Sequence, residues 1–419
     1  MSGTAARPTL RSPLSGARLA SDGPHALREP NGCRWPVLDG IPFLRTGRDA
    51  LAREALGRLD LGDRTGALVA LLADQDDWWT GPVPASDDLA RLVEQANRLT
   101  LRDAMGLLAF GRVGHYFAHR WSDPTYLAGL ALIEAHREPM TSSFELACGI
   151  GHYGREFLRR GTAYAGADVV FAKLWLARHW VVGPDADLVC FDAASLWPVA
   201  DRSFDLVLCQ DAFYFLEPKA EILSRLRGMV APGGWLAVGH VHNREAGNYS
   251  AGRAVTAAEI AALFPDGIVY DDAELTRALV EARPPVPLGL NTVRNVEAFA
   301  VAAGPGLRRE PRPLAAGYAV PPSDAALLLN PLYEKVSCDQ PPALGRRALL
   351  PDGEKVPCRG EDAMRADEGD HAVRFPSDRY AAEYGHLATY PGRFAPPADP
   401  VAHLAAVRCR ALVDLPERW

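Results

Sequence analysis

Between Phe144 and about Ala303, short apolar runs alternate with stretches whose apolar residues recur every three or four positions. A chain of βα units satisfies that rhythm: each strand is buried in a parallel sheet and each helix covers a face of it. The runs 143–146, 163–167, 186–191, 204–209, 235–240, 267–270 and 298–302 predict seven strands. The fold class is therefore α/β, and the chemistry is expected at the carboxyl ends of these strands.

The flanks read differently. Upstream, 49–72, 87–108 and 124–136 carry helical spacing, as in Leu89, Leu92, Val93, Ala96 and Leu99. Residues 1–45 are rich in Pro, Gly, Ser and Arg, and end in a strand, turn and strand over Trp35-Pro-Val-Leu-Asp-Gly-Ile-Pro-Phe-Leu44. Beyond Gly304, proline pairs interrupt any periodicity. The expected organisation is an N-terminal segment (1–45), a helical cap or substrate region (46–140), the α/β domain (141–305) and an accessory extension (306–419) packing over it.

Composition narrows the partners. With 45 basic and 52 acidic residues, the net charge of −7 supplies no cationic field for a phosphate backbone, so nucleic acid is disfavoured. The seven cysteines (Cys33, Cys148, Cys190, Cys209, Cys338, Cys358, Cys409) are odd in number, scattered and without a CxxC pair. Neither a disulfide framework nor a four-cysteine zinc site is expected. Without an apolar run near 18 residues, the chain reads as a reduced, cytoplasmic protein with no membrane partner.

Strand 143–146 leads into Ala147-Cys-Gly149-Ile-Gly151-His-Tyr-Gly154, a loop that lets the backbone turn sharply and approach a ligand before a helix begins. Acids decide which ligand. Glu145 precedes the glycines, where it would repel a pyrophosphate but suits a cationic amino-acid sulfonium. Asp168 ends the next strand, at the spacing for ribose hydroxyls. Asp192, beside Ala193, closes the third, where a carboxylate and a backbone amide can read adenine. The plainer alternative makes these acids strand-end turn residues and helix caps.

The segment resembles a class I S-adenosylmethionine-dependent methyltransferase of the small-molecule, type 11-like kind. The resemblance extends to Ser203-Phe-Asp-Leu-Val-Leu-Cys-Gln-Asp-Ala212 and Ala231-Pro-Gly-Gly234, with Ala147 standing where the family's loop has its first glycine. It implies a Rossmann-like seven-stranded sheet and S-adenosylmethionine as cofactor. Glu145, Ala147, Gly149 and Gly151 would take the methionine moiety, Asp168 the ribose, and Asp192 with Ala193 the adenine. The opening segment also resembles the zinc ribbon of some bacterial ribosomal-RNA guanine methyltransferases. Its first cysteine pair falls on Ser12 and Ser15, and its second on about Glu29 and Gly32 or Cys33. Serine hydroxyls do not replace thiolates, so no structural metal is expected.

Methyl transfer is an in-line displacement that needs alignment and at most one base. The candidate catalytic residues are Asp211 after the fourth strand and His240 and His242 at the fifth; either histidine can take a proton near neutral pH, or simply bond loop carbonyls. His240-x-His242 also has a metal-ligand spacing, but no third ligand is marked in the sequence. Gln210 completes the cofactor side. From 114–126, Tyr116 and Arg120 either cover the cofactor, with Arg120 on its carboxylate, or line a packing face. The fourth strand lacks the Asn/Asp-Pro-Pro-Tyr/Phe ending used on exocyclic base nitrogens, and the α/β segment 141–305 holds no Pro-Cys nucleophile for cytosine carbon. The expected function is methylation of a small metabolite. The alternatives are an RNA (rRNA or tRNA) methyltransferase and a non-catalytic cofactor-binding scaffold.

Overall fold

The computed structural model describes residues 9–246, 250, 252–289, 296–330, 399–408, 410 and 412–419, with short strands at Tyr333–Lys335, Ala348–Leu349 and His371–Arg374. The proline pairs at 341–342 and 396–397, and Cys338, Cys358 and Cys409, lie outside the described residues.

The chain opens with an antiparallel sheet of β1 (Ala20–Ser21), β2 (Ala26–Arg28), β3 (Arg34–Leu38) and β4 (Ile41–Pro42), each paired with the next. Inside it, the buried Glu29 carboxylate accepts hydrogen bonds from Ser12 Oγ (2.6 Å), Ser15 Oγ (2.6 Å) and Trp35 Nε1 (3.1 Å). Ser12, Ser15 and Glu29 thus stand as two donors and their acceptor.

Helices α1 (Asp49–Asp60), α2 (Arg64–Leu72), α3 (Ser86–Gln95), α4 (Leu101–Leu107), α5 (Gly111–His119) and α6 (Pro124–Ala135) follow. Two long periodic stretches are split by capping chemistry. Gly62 takes φ +82° and Asp63 accepts from Gly66 N (2.8 Å), restarting the helix as α2. Thr100 and Asp103 form a capping box that starts α4. α6 is buried over nearly its whole length; Asp123 caps it and Pro124 fills its first turn, where a missing N–H costs nothing.

The main sheet contains β5 (Ser142–Leu146), β6 (Ala163–Asp168), β7 (Asp187–Cys190), β8 (Phe204–Gln210), β9 (Val230–His242), β10 (Ile268–Asp271) and β11 (Ala298–Ala303), in the order β10-β11-β9-β8-β5-β6-β7. It is mixed rather than wholly parallel, because β11 runs antiparallel to both β9 and β10. The connecting helices are α7 (His152–Arg159), α8 (Phe171–Leu176), α9 (Lys219–Gly228), α10 (Ala257–Leu263) and α11 (Asp272–Glu281). Alternation along β8 sends Leu206 and Leu208 into the core under α6 and α7, and Val207 and Cys209 into the opposite core with α9.

Both ends of the chain pack onto this domain. Phe43 bridges Cys190 in parallel, and Leu44 N donates to Cys190 O (2.7 Å), so the N-terminal sheet covers the free edge of β7. The strand Leu412–Asp414 presents Asp414 to Arg155 (3.1 Å) and to Arg159, while Trp419 Nε1 donates to Ala118 O (2.8 Å). Among the described residues, no helix is long and apolar enough to cross a membrane.

Candidate active site

The glycine loop is built by left-handed backbone. Ala147, Gly149 and Gly151 have φ of +56°, +56° and +81°. Glycine adopts this freely, whereas an alanine does so at a cost of roughly 1–2 kcal/mol. A Cβ on Gly151 would come within 2.7 Å of Val182, and one on Gly149 within 3.1 Å of the Phe117 ring on α5. The loop is therefore a cradle closed above by α5.

The structure joins Asp168 to this cradle: its carboxylate accepts from Gly149 N (3.0 Å) and Val170 N (2.9 Å), with Lys173 Nζ 3.7 Å away. Glu145 lies beneath the loop and accepts from Tyr164 Oη (2.8 Å). Burial outweighs that hydrogen bond and pushes its carboxyl up to about 8, so it is largely neutral at pH 7. A carboxyl held this way gains its charge more readily when a cation lies against it. Asp192 stands apart and accepts from Ala194 N (2.9 Å), while Ala193 O takes hydrogen bonds from Trp197 and Arg225. The Gln210 amide lies over Gly239 and donates to Ala237 O (3.4 Å).

A second cluster forms at the ends of β8 and β9. Tyr116 Oη donates to Asp211 Oδ2, and Arg120 Nη1 lies 3.0 Å from the same oxygen; Tyr214 Oη donates to Oδ1 (2.9 Å). Arg120 is fully enclosed and also meets Asp123 (3.3 Å) and Thr125 (2.9 Å), all through Nη1, which leaves the rest of its fork for a ligand. His240 Nδ1 is 2.7 Å from Asp272 Oδ2, and its Nε2 is 3.1 Å from His242 Nε2. The His242 ring stacks on Tyr214 at 4.2 Å. The register between β9 and β11 slips at this point and His240 takes φ +51°, as Asp211 takes +53°. A bulge of this kind re-aims a side chain, and left-handed non-glycine residues gather where function demands them.

Burial opposes charge on His240, but Asp211 and Asp272 outweigh it and push its imidazole up to about 9. For Asp211, burial favours the neutral acid; Arg120, His240 and the two tyrosine hydroxyls prevail and hold its carboxyl below the usual range. At neutral pH His240 is then the donor of the pair, and His242 accepts through Nε2. Asp272 was not marked by any sequence pattern: it reaches His240 from the start of α11 because β10 and β11 fold back beside β9.

Residues 144–238, under a quarter of the chain, match the family model described as a methyltransferase domain. That stretch is similar to a methyltransferase domain. No curated protein matches the chain. Solved structures similar to it include a TehB-like methyltransferase from Corynebacterium glutamicum, 18% identical with a TM-score of 0.31, over 42% of this chain and 85% of that one. Another is a possible histamine N-methyltransferase from Thermotoga maritima, 19% identical, TM-score 0.32, over 45% and 90%. A third is the methyltransferase in a complex with the Trm112 activator from Haloferax volcanii, 22% identical, TM-score 0.32, over 40% and 75%. The glycine loop and the Asp211 cluster thus lie in or beside the methyltransferase domain, while Tyr116, Arg120, His240, His242 and Asp272 fall outside the matched residues.

Proposed function

We propose that this protein transfers the methyl group of S-adenosylmethionine, in line, to a small-molecule acceptor held against Asp211, His240 and His242. The supporting observation is a row of groups at five neighbouring strand ends: Glu145, Asp168 and Asp192 after β5, β6 and β7, then Asp211 and the histidine pair at β8 and β9. The first three suit the charged and hydroxyl-bearing parts of the cofactor. Glu145, Ala147, Gly149 and Gly151 take the methionine moiety, Asp168 the ribose, and Asp192 with Ala193 the adenine. Tyr116, Arg120 and Gln210 close the cofactor side, with Arg120 offering its remaining donors to the carboxylate.

The other two strand ends face the acceptor. Because His240 carries its proton at neutral pH, the group able to accept one from the acceptor is His242, with His240 and Asp211 fixing its orientation. A net charge of −7 favours a metabolite over RNA.

Two measurements test this reading. Calorimetric titration with S-adenosylmethionine and with S-adenosylhomocysteine should give one site per chain; no heat with either would sink the enzyme assignment. Transfer of a labelled methyl group should then appear in a small-molecule extract. Label appearing in total RNA instead, with affinity falling steeply in salt, would replace the metabolite by RNA.

A further inference from the structure

We propose that Asp211, His240 and His242 form a binding site for a divalent transition-metal ion, with an open coordination position toward the acceptor. The ligand atoms of the three side chains lie within 4.8 Å of one another. His240 Nε2 is 3.1 Å from His242 Nε2 and 3.8 Å from Asp211 Oδ1. Tetrahedral bonds of about 2.1 Å require ligand atoms about 3.3 Å apart, so the trio needs only small side-chain shifts to close on an ion.

The surroundings are those of a metal centre. Asp272 Oδ2 accepts a hydrogen bond from His240 Nδ1–H, the carboxylate–histidine arrangement that turns the other ring nitrogen toward a metal. Asp211 divides its oxygens: Tyr116 and Arg120 hold Oδ2, while Oδ1 faces the histidines beside Tyr214. Tyr214 also fixes the His242 ring by stacking. Asp211 and Asp272 bring two carboxylates to the cluster, and Arg120 is shared between Asp211 and Asp123. The Asp211 and His240 side chains are 10% and 16% exposed, so an ion can enter and one side stays open. Two imidazoles and one carboxylate favour zinc, iron(II), cobalt(II) or nickel over magnesium and calcium. Ion binding releases the Nε2 proton of His240 to solvent and makes His242 a ligand in place of a base; the use of the open position to polarise an acceptor oxygen rests on the proposed function, and the ion site does not.

The test uses full-length protein stripped with a chelator and titrated with Zn²⁺ against a chromophoric competitor. One ion per chain is expected. Asp211→Asn and His242→Ala should weaken binding at least about 100-fold, and Asp272→Asn, which removes only the orienting charge, about 10–100-fold. Should either ligand variant fail to fold by circular dichroism, Co²⁺ bound to the wild type decides through its visible absorption: the intense bands of a four-coordinate site support the proposal. Their absence overturns it, as does stripped wild type taking up no Zn²⁺, or folded ligand variants binding as tightly as wild type. The histidines would then be a pair sharing one proton. S-adenosylmethionine binding to the stripped protein checks the cofactor reading separately.

Discussion

Ala147 occupies a left-handed position that would suit glycine better, at the entry to the glycine loop proposed to take the cofactor. Relief of that conformation, less the extra chain entropy of glycine, gives Ala147→Gly an expected gain of about 0.5–1 kcal/mol, read from urea unfolding. An unchanged or lower midpoint would mean the loop compensates elsewhere. In the proposed cofactor site, Glu145 makes binding a proton-linked event. Its carboxyl sits near 8 in the free protein, and a bound cation lowers it, so affinity should rise with pH between about 6 and 8 while a proton is released. Calorimetry in buffers of different ionisation heat measures that proton directly; Glu145→Gln should abolish both the release and the pH slope.

At the scale of elements, the N-terminal sheet is organised around one carboxylate. Glu29→Ala would leave Ser12, Ser15 and Trp35 without their acceptor, a loss of roughly 2–4 kcal/mol at about 1 kcal/mol or more for each stranded donor. Amide exchange over residues 10–44 should accelerate before that of β5 or β8. The seven strands of the main sheet were legible because strands buried on both faces leave continuous apolar runs. Six begin and end within one or two residues of the pattern. The exception, β9, starts at Val230, since Pro232, Gly233 and Gly234 hide its first turns behind residues that ordinarily end a strand. The antiparallel course of β11 left no mark in its composition. The placing of Glu145, Asp168 and Asp192 at or just after the ends of successive strands, with the glycine loop after the first, was legible from spacing within βα units. The partners of His240 and Asp211 were not: Asp272 lies 32 residues after His240 and Tyr116 lies 95 residues before Asp211, and only the tertiary fold brings them together.

At the scale of the whole molecule, acid sensitivity follows from histidines kept neutral inside it. Burial lowers His119 and His136 to about 4 and His152 to about 3, against 6.5 when exposed. The unfolded chain binds more protons there, so their contribution is present above about 6.5 and is lost as pH falls toward 4. Glu145 works in the opposite sense, its raised carboxyl adding stability below 4.5 that fades as pH rises through about 8. Glu134, Asp271 and Asp272 share that sense, while Asp39 and Asp211, held below the usual carboxylate range, join the three histidines in losing stability toward acid. The buried histidines predict a thermal midpoint that drops between pH 6.5 and 4, measurable by scanning calorimetry; a flat profile over that range would contradict the burial of these rings. The seating of Phe43 and Leu44 on Cys190 has a consequence in time rather than in space. During synthesis, the first strands leave the ribosome about 150 residues ahead of the edge they cover, a delay of roughly ten to thirty seconds at 5–20 residues per second. Their apolar faces wait through that interval without a partner, and a serine-and-glutamate network that closes locally lets the sheet hold its own shape until the edge arrives.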